Sequence, residues 1–181
     1  MKKQLYQTIE IPEGIEVAIE GNVFKVKGPQ GESEREFNLY RLEVSKVENK
    51  IKIGAKQATK TEKKMMNTIV AHLKNMFGGL NEKFEYKLKV CSSHFPISVE
   101  VKDDKAIIKN FLGEKIPREC SIPKDTEIKV KGDQIVVMSV NKESAGQAAA
   151  NFELATKVGK RDKRVFQDGI YIINKAGKEI K

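Results

Sequence analysis

Two short stretches carry the residue types from which chemistry is made. Cys91-Ser92-Ser93-His94 sets a thiol three residues before an imidazole, a spacing that suits half of a zinc site or a Cys–His nucleophile pair. His72 and Cys120 supply no second metal pair at a recognisable spacing, and no orienting group or oxyanion donor is marked. The stretch therefore reads as a small apolar cysteine and a surface histidine, with no metal. A cysteine-dependent hydrolase built on Cys91 and His94 remains the enzyme alternative. Asp103-Asp104 resembles a carboxylate pair, but it falls on a hairpin tip, where such residues form turns. The KGPQG loop is too short for a phosphate-binding P-loop and lacks its Gly-Lys-Ser/Thr ending. The chain reads as non-catalytic, with no cofactor and no small-molecule substrate.

The second stretch is KVGKRDKRVFQDGIYI, residues 157–172, with five cations in its first eight positions and an apolar second half. Arg161 and Arg164 have planar heads suited to two-point contact with phosphate, and Lys157, Lys160 and Lys163 act as point charges. Gly159 is expected to turn the chain after a helix that ends near Thr156. Val165-Phe166 and Ile170-Tyr171-Ile172 are expected to pin the segment to its domain, with Asp168-Gly169 as a turn. Such a segment presents an ordered phosphate-binding surface, and structured RNA is the fitting target.

The net charge of +9 in 181 residues is concentrated. Residues 50–64 hold six lysines against one glutamate, residues 157–181 hold eight Lys or Arg against three acids, and residues 81–156 are neutral. Two basic patches on a neutral background point to a polyanionic partner, nucleic acid or an anionic membrane. A membrane surface asks for an amphipathic basic helix, against which Gly159 and Gly169 argue. No apolar run approaches the roughly 20 residues of a membrane span. The N-terminal MKKQLYQTIEIPEG lacks the apolar core of a signal peptide. Two cysteines without a framework pattern suit a reducing cytoplasm.

The elements that must position these residues occur twice. Ile15, Val17 and Ile19 return 82 positions later as Ile97, Val99 and Val101, and Gly31-Glu32 returns as Gly113-Glu114. Ile51 and Ile53 match Ile135 and Val137. Alternating apolar and polar residues predict hairpins around Glu20-Gly21-Asn22 and Asp103-Asp104. Capping boxes are expected at Thr59-x-x-Glu62 and Ser144-x-x-Gln147. The first opens a helix striped by Met65, Ile69, Leu73 and Phe77 and stopped by Gly78-Gly79. The second opens a helix whose small face carries Ala145, Ala148, Ala149, Phe152 and Ala155. The expected fold is α+β: two tandem duplicated domains, 1–80 and 81–181, each a mostly antiparallel sheet covered by one helix. Lys60, Lys63 and Lys64 would sit on the first turn of the first helix, where the dipole favours anions.

HFPISV (94–99), IIKNFLGEK (107–115) and FQDGIYI (166–172), with IPEGIEVAIEGNVFKVKGPQGE (11–32) and SAGQAAANF (144–152), closely resemble the archaeal and eukaryotic form of the large-subunit ribosomal protein L-six family, called L-nine in eukaryotes. The resemblance runs in order through nearly the whole chain. It implies a structural protein of the cytoplasmic ribosome that binds large-subunit rRNA near the translation-factor-binding region. Its partners would be rRNA, neighbouring large-subunit proteins and, indirectly, translation factors. Carried onto these residues, the contact would use Lys157, Lys160, Arg161, Lys163, Arg164, Phe166, Gln167, Asp168, Gly169 and Tyr171. Weaker candidates are Ser92, Ser93, His94, Asn110 and Lys115. Bacterial members end in a shorter basic loop, so their contact details do not transfer. The alternative is an RNA-binding module outside the ribosome.

Overall fold

The computed structural model describes residues 3–162 and 164–180, and of Lys3 the backbone alone. The chain falls into two compact units, Met1–Glu82 and Lys83–Lys181.

In the first unit β1 (Lys3–Glu10), β2 (Glu16–Glu20), β3 (Val23–Gly28), β4 (Gly31–Glu36), β5 (Glu43–Val47) and β6 (Lys50–Ala58) precede helix α1 (Lys60–Asn81). The strands form two antiparallel sheets, ordered β1-β6-β5 and β2-β3-β4. This is a finer division than a single sheet. Period-two alternation decides which side chains enter the core: Val17, Phe24, Val26, Ile51 and Ile53 are buried, while Lys25 and Lys27 pair outside with Glu20 and Glu32.

The capping box at the start of α1 forms as expected. Thr59 donates its backbone N–H to the Glu62 carboxylate (2.8 Å), its hydroxyl meets the same carboxylate, and Thr61 N–H donates to the Thr59 hydroxyl. The buried stripe is Met66, Ile69, Leu73, Met76, Phe77 and Leu80, so Met66 takes the place expected for Met65. The helix also runs through Gly78-Gly79 instead of stopping there. Leu80 is fully buried, and its carbonyl accepts the Gln30 N–H of the β3–β4 turn (3.1 Å), so tertiary contact satisfies the last turn where a glycine cap was expected.

That contact explains Gly28. A Cβ placed there would lie 2.8 Å from the Leu80 Cβ, closer than packed carbons tolerate. Gly28→Ala is expected to destabilise the first unit by about 1–3 kcal/mol, the usual range for overpacking. A urea titration that follows the first unit checks this, and an unshifted midpoint would mean that α1 moves freely off the turn.

In the second unit β7 (Phe84–Cys91), β8 (Ser98–Lys102), β9 (Lys105–Lys109), β10 (Arg118–Ser121), β11 (Glu127–Lys131) and β12 (Gln134–Ser139) precede α2 (Lys142–Ala155), and β13 (Gly169–Lys175) and β14 (Lys178–Glu179) follow it. One sheet is ordered β10-β9-β8 and the other β11-β12-β7-β13-β14. Helix α2 packs on both through Ala145, Ala148, Ala149 and Phe152, all buried, with Ala155 half-buried. Its cap is Asn141, whose side chain accepts the Glu143 N–H (2.9 Å). The expected Ser144/Gln147 box does not form, because Ser144 already lies inside the first turn, and Gln147 reaches forward to Asn151 (2.8 Å). The Asp103-Asp104 pair occupies the β8–β9 hairpin tip as read from the sequence.

Candidate nucleic-acid interface

The basic segment 157–168 leaves α2 and returns to the sheet as β13. Its two ends are tied by one buried residue. Thr156, the C-terminal cap of α2, donates its hydroxyl to the Phe152 carbonyl (3.1 Å) and accepts the Ile170 backbone N–H (2.9 Å). Beyond that knot β13 runs antiparallel to β7, with Gly169 opposite Cys91, Ile170 opposite Val90 and Tyr171 opposite Lys89. Segment 157–168 is therefore a loop closed at its base, presented from an inner strand of the sheet.

The anchoring residues are fewer than expected. Ile170 is fully buried, and Phe166 and Ile172 pack against the core, but Val165 and Tyr171 remain exposed at 62% and 41%. The first turn comes at Lys160, whose φ is 57°, and not at Gly159. Asp162 then organises the next turn. Its side chain accepts the Arg164 N–H (3.0 Å), and its carbonyl accepts the N–H groups of Val165 and Phe166. Its carboxylate also pairs with the Arg164 guanidinium at 2.8 Å, which holds the Asp162 carboxyl below its usual range. One of the five cations is thus partly neutralised within the loop. Lys157, Lys160, Arg161 and Arg164 all face solvent, as does Gln167. Lys163 lies outside the described residues.

Asp168 corrects the sequence reading most. Expected to form a turn and touch the partner, it is 1% exposed and faces inward. Its carboxylate accepts the backbone N–H groups of Ser93 (2.6 Å) and His94 (3.0 Å) and meets His94 Nδ1 at 2.6 Å. Burial pushes the Asp168 carboxyl up, but the combined donation from His94 and Ser93 outweighs it and leaves the group below its ordinary value. The His94 ring stacks on Phe166 with centroids 5.0 Å apart, and the Arg161 guanidinium lies 4.7 Å from the same ring. Asp168 and this stack lock loop 92–94 to the basic loop. Gly169 is also buried, so it supports the loop from below.

Loop 110–115 is braced by a residue the sequence reading passed over. Arg118 grips Glu114 with two hydrogen bonds (2.6 and 2.8 Å) and donates to the Ala155 carbonyl at the end of α2 (2.8 Å) and to the Lys157 carbonyl (3.4 Å). Its guanidinium also lies 4.2 Å from the Phe111 ring. The i,i+4 pair Glu114/Arg118 was the available signal, hidden because no helix follows it. Asn110, in a left-handed conformation with φ 60°, donates to the Pro96 carbonyl (3.0 Å). Lys115 is exposed. The three loops therefore share one set of braces.

The other basic patch is less concentrated than its sequence. Lys50 pairs with Glu10, Lys56 lies 3.6 Å from Glu43, and Lys52 covers the Tyr6 ring. Lys60, Lys63 and Lys64 have no ion pair among the described residues. Cys91 is half-buried and Cys120 is buried, with its thiol pushed up to about 11 by desolvation. His94 does have an orienting carboxylate, but its ring is stacked on Phe166. No group of three potential metal ligands occurs among the described residues, and no helix there is long and apolar enough to cross a membrane.

Fold and site together define an α+β protein of two similar units, the second of which presents a braced basic loop. The family model described as Ribosomal protein L6 matches the chain twice, at residues 11–83 and 95–169. The large ribosomal subunit protein uL6 of Methanobrevibacter smithii is 44% identical over 93% of this chain and 95% of its own length. That of Methanosarcina mazei is 44% identical over 97% and 100%, and that of Sulfurisphaera tokodaii 44% over 94% and 92%. The chain belongs to the ribosomal protein L6 family. Its two matched segments fall one in each unit, in keeping with the internal repeat.

Proposed function

We propose that this protein is a structural component of the large subunit of the cytoplasmic ribosome. It binds large-subunit rRNA through the C-terminal unit and holds the RNA near the translation-factor-binding region in shape. The observation that carries this reading is the bracing of three loops into one surface by Thr156, Asp168 and Arg118. A merely solvated lysine-rich tail has no use for a buried carboxylate that positions the loop beside it. Exposed Lys157, Lys160, Arg161 and Arg164 supply phosphate contacts, and Lys163 belongs with them by sequence. Ser92, Ser93, His94, Asn110 and Lys115 border the contact. Neighbouring large-subunit proteins complete the surroundings, and translation factors feel the protein only through the RNA it holds.

The test replaces Lys157, Lys160, Arg161, Lys163 and Arg164 by Ala in the full chain and measures affinity for large-subunit rRNA across a salt series. If each cation meets one phosphate, the log–log salt slope falls by about 4–5 on the duplex coefficient of roughly 0.9 per contact. Retention of the slope would move the RNA site elsewhere, with Lys60, Lys63 and Lys64 the next place to look. Equal affinity of the parent protein for RNA lacking the ribosomal fold would favour a general RNA-binding module.

A further inference from the structure

Beside the basic loop, the last turn of α2 and the start of β13 enclose a cavity of about 430 Å³ walled mainly by Ala150, Leu154, Val158, Phe166, Ile170 and Tyr171. Its volume lies within the roughly 300–1,000 Å³ of small-ligand sites. Leu154 (62% exposed) and Tyr171 (41%) keep the cavity's wall accessible to solvent. One exposed leucine needs no explanation. A leucine and a tyrosine lining the same concavity, next to a basic loop, do need one.

The tyrosine is held in place. Its hydroxyl donates to the Gln167 carbonyl (3.2 Å), and its ring lies so close to Gly169 that a Cβ there would sit 3.2 Å from Cζ. Cations stand beside the cavity: Lys157 is part of the wall, and Arg161 lies over Phe166, another part of it. One acid, Glu153, also contributes to the lining.

We propose that this cavity receives a single unstacked RNA base, preferably guanine, from the strand whose phosphates lie along the basic loop. The inference rests on the rRNA-binding reading above and sharpens it. Proteins read RNA sequence mainly at unpaired bases, which stack on aromatic rings and offer their edges for hydrogen bonding. A bare phosphate has no reason to enter an apolar cavity beside a carboxylate. An apolar protein segment would leave Lys157, Arg161 and Glu153 unmatched. A base tethered to a phosphate satisfies the apolar wall and the cations together. A carboxylate only accepts hydrogen bonds, and guanine offers it two adjacent donors, N1–H and the 2-amino group.

The test uses the full chain and large-subunit rRNA, with Tyr171→Ala to remove the stacking wall and Ala150→Met to fill the cavity without altering charge. Tyr171→Phe serves as the conservative control. Circular dichroism confirms that each variant is folded. Tyr171→Ala and Ala150→Met are expected to weaken binding about tenfold or more, in keeping with the loss of one base stack, with the salt slope unchanged, while Tyr171→Phe, which keeps the ring and gives up only the hydroxyl's bond to Gln167, loses less than Tyr171→Ala. Chemical probing of the complex should show one unpaired guanine whose pairing edge is protected by the parent and reactive with both cavity variants. Unchanged affinity and protection in both, while the five-cation variant still loses its slope, would overturn the cavity assignment and leave the rRNA reading standing. Normal binding to naked rRNA with failure to join the assembled subunit would give the cavity to a protein neighbour and overturn it equally. Protection of a base other than guanine would overturn the role of Glu153. No binding of rRNA by the parent protein would bring down both readings.

Discussion

A chain ended after Thr156 is expected to lose the folded second unit while the first stays folded. The segment beyond Thr156 looks like a removable basic tail in the sequence, yet it contains β13, which lies between β7 and β14 in the five-stranded sheet. Removing it strips the partner from one side of β7 along Tyr86–Cys91 and exposes a row of backbone N–H and C=O groups. It also withdraws fully buried Ile170 from a core that includes Leu88, Val90 and Phe152. It leaves Thr156 without its bond to Ile170 and the Ser93–His94 loop without Asp168. Loss of one buried isoleucine side chain alone costs about 2–5 kcal/mol, against a total of about 5–15 kcal/mol for a typical domain. Amide exchange resolves the two units. Protection should disappear in β7 and β12 and persist in β6 and α1. Persistent protection in β7 would mean that the second unit folds without its penultimate strand. The practical consequence is that RNA binding must be tested by replacing charges, because truncation removes the fold together with the cations.

Sequence legibility varied with how local the cause was. The hairpins were readable because alternation and turn residues act within a few positions, and both tips fell where Gly21-Asn22 and Asp103-Asp104 put them. The family was readable from motifs such as NFLGEK and DGIY, and the repeat from matched positions. Helix α1 was readable in type but not in extent, since what carries it past Gly78-Gly79 is a carbonyl satisfied by Gln30, about fifty positions away. Strand β13 was obscured by the cations at its entrance, although Ile170 and Ile172 inside with Tyr171 outside follow a strand's period. Asp168 was the clearest failure. Asp-Gly is a strong turn signal, and nothing near it in the chain announces that its partners are Ser93 and His94. The cations of the basic loop were visible at once; the residues that aim them were not, because bracing is a long-range property of the fold.

Asp168→Ala is expected to be the most damaging single substitution at the site. It removes a buried acceptor facing two backbone N–H groups and the His94 ring, and it leaves a void beneath the basic loop. Unmaking charge-assisted bonds of this kind costs on the order of 2–3 kcal/mol, or a fall on the order of 10 °C in Tm for a domain of about a hundred residues. Its pH dependence identifies the cause. Because the folded carboxyl lies below its ordinary value, its contribution is complete above the unfolded pKa of about 3.9 and is lost as pH falls through the folded value. The Tm gap between the parent protein and Asp168→Ala should therefore be full at neutral pH, narrow below about pH 4 and be smallest once the folded carboxyl is protonated. Asp168→Asn keeps an oxygen for the Ser93 and His94 N–H groups while discarding the charge, so it should recover part of the loss and show little of that acid dependence. The same Ala variant should weaken rRNA binding although no cation has been removed, because loop 92–94 and the Phe166 stack lose their common anchor. A gap that stays constant from pH 7 to pH 2 would show that Asp168 acts by filling space alone. Normal rRNA affinity in the folded variant would show that the basic loop keeps its shape without it.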